Sequence, residues 1–248
     1  PAFSQRILDT QYFFGNSTSN FVFDKNGREI YLEERMATPF GTGGSAVISD
    51  QYTGNLLFYT DGVQVFDQTH QLISGFTTLS GDSSLNQPAV VSPNPGTANE
   101  YYIFTNSGNS GPNEIQFSTI NAQAQGNSTN GNFRFGSLSS ANNSTGLSNP
   151  SEGMIIIESG SGTDYWLITQ DRSTFQIRVT AIGNTGIDST QVFDVTSAEF
   201  PGAEVSQFAW NLDSAWLAIA PKTPNRNVAI LNFNRETGFL SFERQIQL

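Results

Sequence analysis

One short pattern recurs along this chain and restricts its fold more than any other feature. A continuous apolar run appears at Leu56-Leu57-Phe58-Tyr59, at Tyr101-Tyr102-Ile103-Phe104, at Tyr165-Trp166-Leu167-Ile168 and at Trp216-Leu217-Ala218-Ile219. Runs of this length, bounded by Gly, Asn, Asp and Thr, read as strands with both faces covered. Before each lies a short apolar segment: Ser45–Asp50, Pro88–Val91, Gly153–Ile157 and Val205–Trp210. After each comes a segment with partial or full alternation: Val63–Asp67, Glu114–Ile120, Phe175–Ala181 and Asn227–Phe233. The corresponding positions Tyr59, Phe104, Ile168 and Leu217 fall 45, 64 and 49 residues apart. A four-stranded unit repeating at about 45 residues is the signature of a β-propeller blade. The alternative, a β-sandwich of short strands, has no reason to repeat such a strand in phase.

The expected fold is therefore all-β, a β-propeller forming one domain over 5–248. Four recognisable four-stranded blades are placed at about 41–80, 86–140, 151–197 and 203–248, with further N-terminal strands within 12–35. Tyr12-Phe13-Phe14, Phe21-Val22-Phe23 and Ile30-Tyr31-Leu32 supply those strands, and Asp24–Gly27 reads as a turn between two of them. The long second interval is assigned to an extended loop at 121–150, rich in Asn, Ser, Gly and Gln. The ring is expected to be incomplete.

Composition narrows the chemistry. There is no cysteine, which removes thiol nucleophiles, disulfides, thiolate zinc sites and iron–sulfur clusters. One histidine leaves a His-based triad a single candidate and excludes multi-His metal sites. A net charge of −11 with two lysines argues against nucleic acid and anionic lipid, both of which need a basic patch. No apolar run approaches the roughly 18 residues of a membrane-spanning helix, so no membrane insertion is expected. Pro1-Ala2-Phe3-Ser4-Gln5 reads as the small-x-small end of a signal peptide with cleavage after Ser4, which makes 1–4 a signal-peptide remnant. Low lysine and abundant Asn, Ser and Thr point the same way, toward export.

Gly54-Asn55-Leu56-Leu57-Phe58-Tyr59-Thr60-Asp61-Gly62, followed by Val65-Phe66-Asp67-Gln68-Thr69-His70-Gln71, resembles a stretch found in large secreted proteins of Bacteroidota. These are type IX secretion substrates that end in a gliding-motility-associated, type B sorting domain. Tyr12–Asn16, Tyr101–Thr105 and Asp164–Thr169 fall in the matching order, so the resemblance covers roughly 12–245. It implies an N-terminal propeller of a multidomain surface protein, often adhesin-like. The sequence departs from that pattern in having neither the sorting domain nor immunoglobulin-like repeats.

Candidate site residues follow from the repeat. Gly44-Ser45, Asn86-Gln87, Ser151-Glu152 and Ser206-Gln207 stand at the starts of the inner strands. Ser45, Gln87, Glu152 and Gln207 are thus candidates for lining an axial channel, where they either bind a glycan or peptide or hold water and structural bonds. Glu152 and Glu204 occupy equivalent entrances. Together they form the carboxylate pair of an alternative reading, a carbohydrate-active hydrolase, which needs two acids about 5–9.5 Å apart. His70 is either a general base or ligand, or a turn histidine bonding locally. Asp61 and Asp67 flank one hairpin and could hold calcium, but no D-x-D-x-D-G run accompanies them. Glu33-Glu34 reads as a solvated acidic pair. Gly41-Thr42-Gly43-Gly44-Ser45 enters a strand and not a helix, so it reads as a tight crossing instead of a phosphate cradle. Trp166, Trp210 and Trp216 are expected in the core, with stacking on sugar as the sharper alternative. Asn16-Ser17-Thr18, Asn127-Ser128-Thr129 and Asn143-Ser144-Thr145 match the N-glycosylation sequon, and Asp188-Ser189-Thr190 and Asp213-Ser214-Ala215 are candidate O-glycosylation acceptors under the Bacteroidota resemblance.

The sequence reading is a non-enzymatic extracellular module of a type IX-secreted surface protein, serving adhesion, gliding or surface assembly. No catalytic residue, metal or cofactor is assigned. The expected partners are a surface glycan or protein ligand, or other domains and subunits of the cell-surface machinery. The alternatives are the hydrolase and a purely structural spacer.

Overall fold

The recurring apolar runs are the middle strands of small antiparallel sheets. The computed structural model describes residues 11–13, 17–23, 30–34, 41–50, 53–73, 78–108, 111–126, 135–195, 202–211, 215–223 and 227–247. The signal-peptide remnant, the Asp24–Gly27 turn, the side chains of Glu33 and Glu34, Asn16, Asn127–Thr129 and Asp213-Ser214 lie outside what is described.

Among the described residues, five sheets follow one another in sequence order. The first holds β1 (Gln11–Phe13), β2 (Ser19–Phe23) and β3 (Ile30–Glu34). The second holds β4 (Ala46–Ser49), β5 (Leu56–Thr60) and β6 (Val65–Asp67). The third is β7 (Ala89–Pro93), β8 (Glu100–Asn106), β9 (Glu114–Asn121) and β10 (Ser137–Ser148). The fourth is β11 (Pro150–Glu158), β12 (Tyr165–Asp171), β13 (Ile177–Gly183) and β14 (Gly186–Phe193). The fifth is β15 (Val205–Asn211), β16 (Trp216–Pro221), β17 (Val228–Asn234) and β18 (Phe239–Ile246). Within each sheet the strands pair in sequence order. The inner strands β1, β4, β7, β11 and β15 lie side by side in that order. This is the expected all-β, propeller-like arrangement, and the ring is not closed.

Two expectations are corrected. The second sheet has three strands among the described residues; beside β6 the chain adds an isolated bridge from Leu72 to Phe66, and the N–H groups of Ile73 and Leu79 donate to the Val65 and Val63 carbonyls. The tract at 121–150 is not a loop throughout, because Ser137–Ser148 is the outer strand β10. Its register on β9 shifts three times. Bulges of this kind let a Ser- and Asn-rich edge strand follow a twisted neighbour.

Burial explains the continuous apolar runs. The middle strands of an interior sheet, here β8 and β12, have a neighbouring sheet on both faces. Tyr102, Phe104 and Ile115 of the third sheet pack against Met154, Tyr165 and Leu167 of the fourth. Ile168, Ile177 and Val179 of the fourth pack against Leu217, Leu231 and Phe233 of the fifth. Each fully buried side chain of this size contributes about 1.5–3 kcal/mol. The faces also correct the repeat alignment. Phe104 and Ile168 point toward the following sheet, whereas Tyr59, against Phe13, and Leu217 point toward the preceding one. A slip of one residue exchanges the faces of a strand, so Ala218 and not Leu217 is the counterpart of Ile168.

The polar residues have a comparable job at the strand ends. A side-chain oxygen accepts the backbone N–H two residues on at Asp61, Asp67, Asp82, Asn94, Asn106, Asn121, Asp171 and Asn234. These Asx turns use the short Asp and Asn side chains to close tight connections. Four of the 22 acidic residues, Asp61, Asp67, Asp82 and Asp171, thus serve turns. Gly43 and Gly44 show the same economy of space: their N–H groups donate to the Ser83 and Leu85 carbonyls at 2.7 and 2.8 Å. A Cβ on either would fall 2.1 Å from a backbone oxygen, so the glycine-rich stretch is a close backbone crossing.

Asp171 carries a pH consequence. Burial pushes its proton affinity up, but the Ser173 hydroxyl and amide, the Arg178 guanidinium and the Thr174 amide outweigh that and hold its pKa below the ordinary 3.8. Stability from this group is thus fully present above pH 3.8 and is lost as pH falls through the lower folded value. Asp171→Asn is expected to flatten the acid limb of a stability–pH curve followed by urea melts. An unchanged limb would show that the turn is indifferent to this charge.

Candidate functional site

The starts of the inner strands bring polar side chains together, and most of them reach across to another sheet. Gln87, just before β7, accepts from the Met154 N–H of β11 at 2.9 Å and the Phe208 N–H of β15 at 3.4 Å through one oxygen. Asn86 donates to Glu152 Oε2 at 2.9 Å and to Ser206 Oγ at 2.7 Å. Two further amides act at the ends of middle strands. Asn106, closing β8, donates to the Ser151 carbonyl at 2.6 Å. Gln170, in β12, accepts from the Val205 N–H and donates to the Ala203 carbonyl, each at 2.9 Å. The axis is held by side chains that substitute for missing strand partners on the neighbouring sheet.

Glu152 sits where these ties converge. Its side chain is 14% exposed and accepts from Lys222 Nζ at 2.8 Å through Oε1. The same ammonium lies 3.7 Å from Glu204 Oε2, and Arg172 Nε lies 3.6 Å from Glu204 Oε1. The hydrogen bond to Glu152 raises the Lys222 pKa against the opposing pull of burial, and the charges of Glu152 and Glu204 add to the rise. A small cavity of about 90 Å³ opens here, lined among others by Asp82, Asn106, Ser151, Glu152, Glu204 and Lys222. The two carboxylates of the hydrolase reading are therefore neighbours, with a cation shared between them.

The four candidate lining residues do not form one site. Ser45 donates to the Phe13 carbonyl at 3.1 Å and, with Gln87, borders a cavity of about 310 Å³ between the inner strands β1, β4, β7 and β11. Glu152 belongs to the carboxylate mouth. Gln207 lies on an exposed face of β15, opposite Ala220. At the other end of the inner strands, the turns of the second, third and fourth sheets border a groove of about 410 Å³ that includes Asp50, Asn94, Glu100, Tyr101, Thr163 and Tyr165.

The remaining candidates resolve individually. His70 adopts φ 64° in a turn, and its Nδ1 lies 3.1 Å from the Tyr59 hydroxyl. Tyr59 is stacked between Phe13 and Phe66, and burial, then Asp67, pushes its pKa up. Asp61 accepts from Val63 and Gln64, and Asp67 from Thr69 and Gln71, so each is committed to its own turn. Trp166 and Trp210 pack edge-on to Phe233, as core placement predicts; Trp216 is 37% exposed beneath the Arg244 guanidinium. Asn143 donates to the Phe117 carbonyl, and Asp188-Ser189-Thr190 is exposed on β14.

Lys222, Arg172, Asn106 and Gln170 were not visible as site residues in the sequence. The signal that finds them is position: each stands at or just past the end of a middle strand, where the chain meets the start of the next inner strand. Lys222→Met is expected to cost about 0.5–1 kcal/mol, the scale of a partly exposed ion pair. Adding Glu152→Gln should recover part of that loss in a double-mutant cycle of thermal melts; strict additivity would show that the pair is uncoupled.

No protein-family model matches this chain, and no curated protein matches it. Solved structures do. One is a functionally unknown protein from Desulfotomaculum acetoxidans DSM 771, 12% identical with a TM-score of 0.45, the match covering 97% of this chain and 70% of that one. A candidate 6-phosphogluconolactonase from Bacteroides fragilis NCTC 9343 is 16% identical with a TM-score of 0.49, over 95% of this chain and 66% of that one. Another from Bacteroides uniformis ATCC 8492 is 14% identical with a TM-score of 0.46, over 97% and 67%. At these identities and scores, nothing about activity passes from them to this chain.

Proposed function

We propose that this chain is a non-catalytic recognition and display module of an exported surface protein, acting in adhesion, gliding or surface assembly. The observation that carries this reading is the commitment of the axial polar groups. Gln87, Asn86, Asn106 and Gln170 each spend their amides on other sheets or inner-strand starts, and Lys222 occupies the space between Glu152 and Glu204. Such an axis favours rigidity. The groove beside Tyr101 and Tyr165, with its turn amides and carbonyls, is the surface offered to a glycan or protein ligand. The resemblance to type IX secretion substrates supports the exported location.

The test has two arms. Protease shaving of intact cells that carry the natural protein should remove it from the surface, and a glycan array should bind the purified chain equally with and without Glu152→Gln. A protein protected from shaving until lysis would overturn the exported reading. The proximity of Glu152 to Glu204 favours the hydrolase as the second reading. Release of sugar from a glycoside panel, lost in Glu152→Gln, would establish it in place of the first.

A further inference from the structure

The fourth and fifth sheets share a register that allows a residue-by-residue comparison of their outward faces. In the fourth sheet Trp166 and Ile168 of β12 stand with Ile177 and Val179 of β13 and Phe193 of β14 on the face toward the following sheet. That face is covered: Ile168, Ile177 and Val179 are fully buried against the fifth sheet, and Phe193 packs on the same cluster. Trp166 meets the Phe233 ring edge-on at 6.4 Å and donates its indole N–H to the Arg235 carbonyl at 2.7 Å.

In the fifth sheet the same places are held by Trp216 and Ala218 of β16, Val228 and Ile230 of β17, and Ile246 of β18. Ala218 opposes Ile230 as Ile168 opposes Val179, and Val228 opposes Ile246 as Ile177 opposes Phe193. All five positions are apolar, and a tryptophan again opens the set. Here, however, Trp216 is 37% and Ile246 46% exposed, Ala218 and Val228 are half-buried and Ile230 alone is buried, and among the described residues β15 is the last of the inner strands. Arg244, opposite Ile230, reaches over the Trp216 ring at 4.7 Å. One element of the interface is missing: Ala220 stands where Gln170 ties the fourth sheet to the fifth.

We infer that this face of the fifth sheet is a docking surface for one further blade. Its occupant is a four-stranded antiparallel sheet presenting the kind of face that Leu217, Ile219, Leu231 and Phe233 present to the fourth sheet. The argument is continuity: the third sheet docks on the fourth, and the fourth on the fifth, through the same strand positions. An aromatic on the incoming third strand would meet Trp216 as Phe233 meets Trp166. Sheet faces of this composition bury readily against a complementary sheet.

The experiment supplies that blade. A second copy of residues 194–247, with its own tryptophans changed to phenylalanine, is fused after Leu248 of the full chain. Trp216 is followed by 5-fluorotryptophan NMR, its resonance assigned with Trp216→Phe, and by acrylamide quenching. The expected result is a monomer with a raised Tm, a displaced Trp216 resonance and a several-fold fall in its quenching. Ala218→Lys in the original fifth sheet should abolish those changes while leaving the unfused chain folded. Three results would overturn the inference. The first is an added copy that folds, or stays unfolded, without moving Trp216. The second is an unfused chain that is dimeric with Trp216 already protected, which assigns the face to a second copy. The third is an unfused monomer with Trp216 protected, which assigns it to the N-terminal sheet.

Discussion

Gln170→Leu is expected to destabilise the chain by roughly 3–5 kcal/mol, because it strands several buried backbone groups at once, each costing about 1–3 kcal/mol. The Gln170 side chain, in a residue 1% exposed, accepts from the Val205 N–H and donates to the carbonyls of Ala203 and Phe175. Leucine has similar bulk and no polar atoms, so the loss measures the hydrogen bonds instead of a cavity. Urea unfolding should show a lower midpoint with an unchanged slope, the sign of lost stability without a change in the surface exposed. A cost below about 1 kcal/mol would show that water replaces the amide easily, and the axial ties would then lose their structural weight.

Phe233→Ala should cost about 3–5 kcal/mol, the range for removing a buried aromatic and leaving a cavity. Phe233 is 1% exposed and sits between the edges of Trp166 and Trp210, at 6.4 and 5.6 Å. It is the point at which the fourth and fifth sheets grip one another. Tryptophan emission offers a second readout, since both indoles lose their aromatic neighbour. Phe233→Leu, which keeps most of the volume, should recover more than half of the stability. If the leucine variant were as damaged as the alanine one, the edge-on ring geometry and not the filled volume would be the larger effect.

The middle strands were legible because burial on two sides leaves a signature that survives without any alignment. Leu56–Tyr59 and Tyr165–Ile168 can be recognised as such at sight. The outer strand β10 was not, for a physical reason: Leu147 is its one buried residue, and apart from Leu138 and Ala141 the rest is Ser, Asn, Thr and Gly on an irregular edge. Nothing in that stretch distinguishes a strand from a loop until a partner with free backbone groups lies beside it. The same holds for the face assignments, where Leu217 and Ala218 are equally plausible in sequence and only the neighbouring sheet separates them. At the carboxylate mouth, Glu152 and Glu204 could be picked out by position. Lys222 could not, because its role depends on β16 delivering its end to the start of the fourth sheet, a juxtaposition 70 residues away in the chain.

The amide ties along the axis also label particular protons. In most sheets a backbone N–H is sheltered by the adjacent strand, and its exchange with solvent reports local strand pairing. The N–H groups of Met154 and Val205 instead donate to glutamine side chains of other sheets, Gln87 and Gln170. Their exchange rates therefore follow sheet-against-sheet assembly and not the integrity of the strands that carry them. These two protons are built-in probes that separate the breathing of a blade from the parting of two blades.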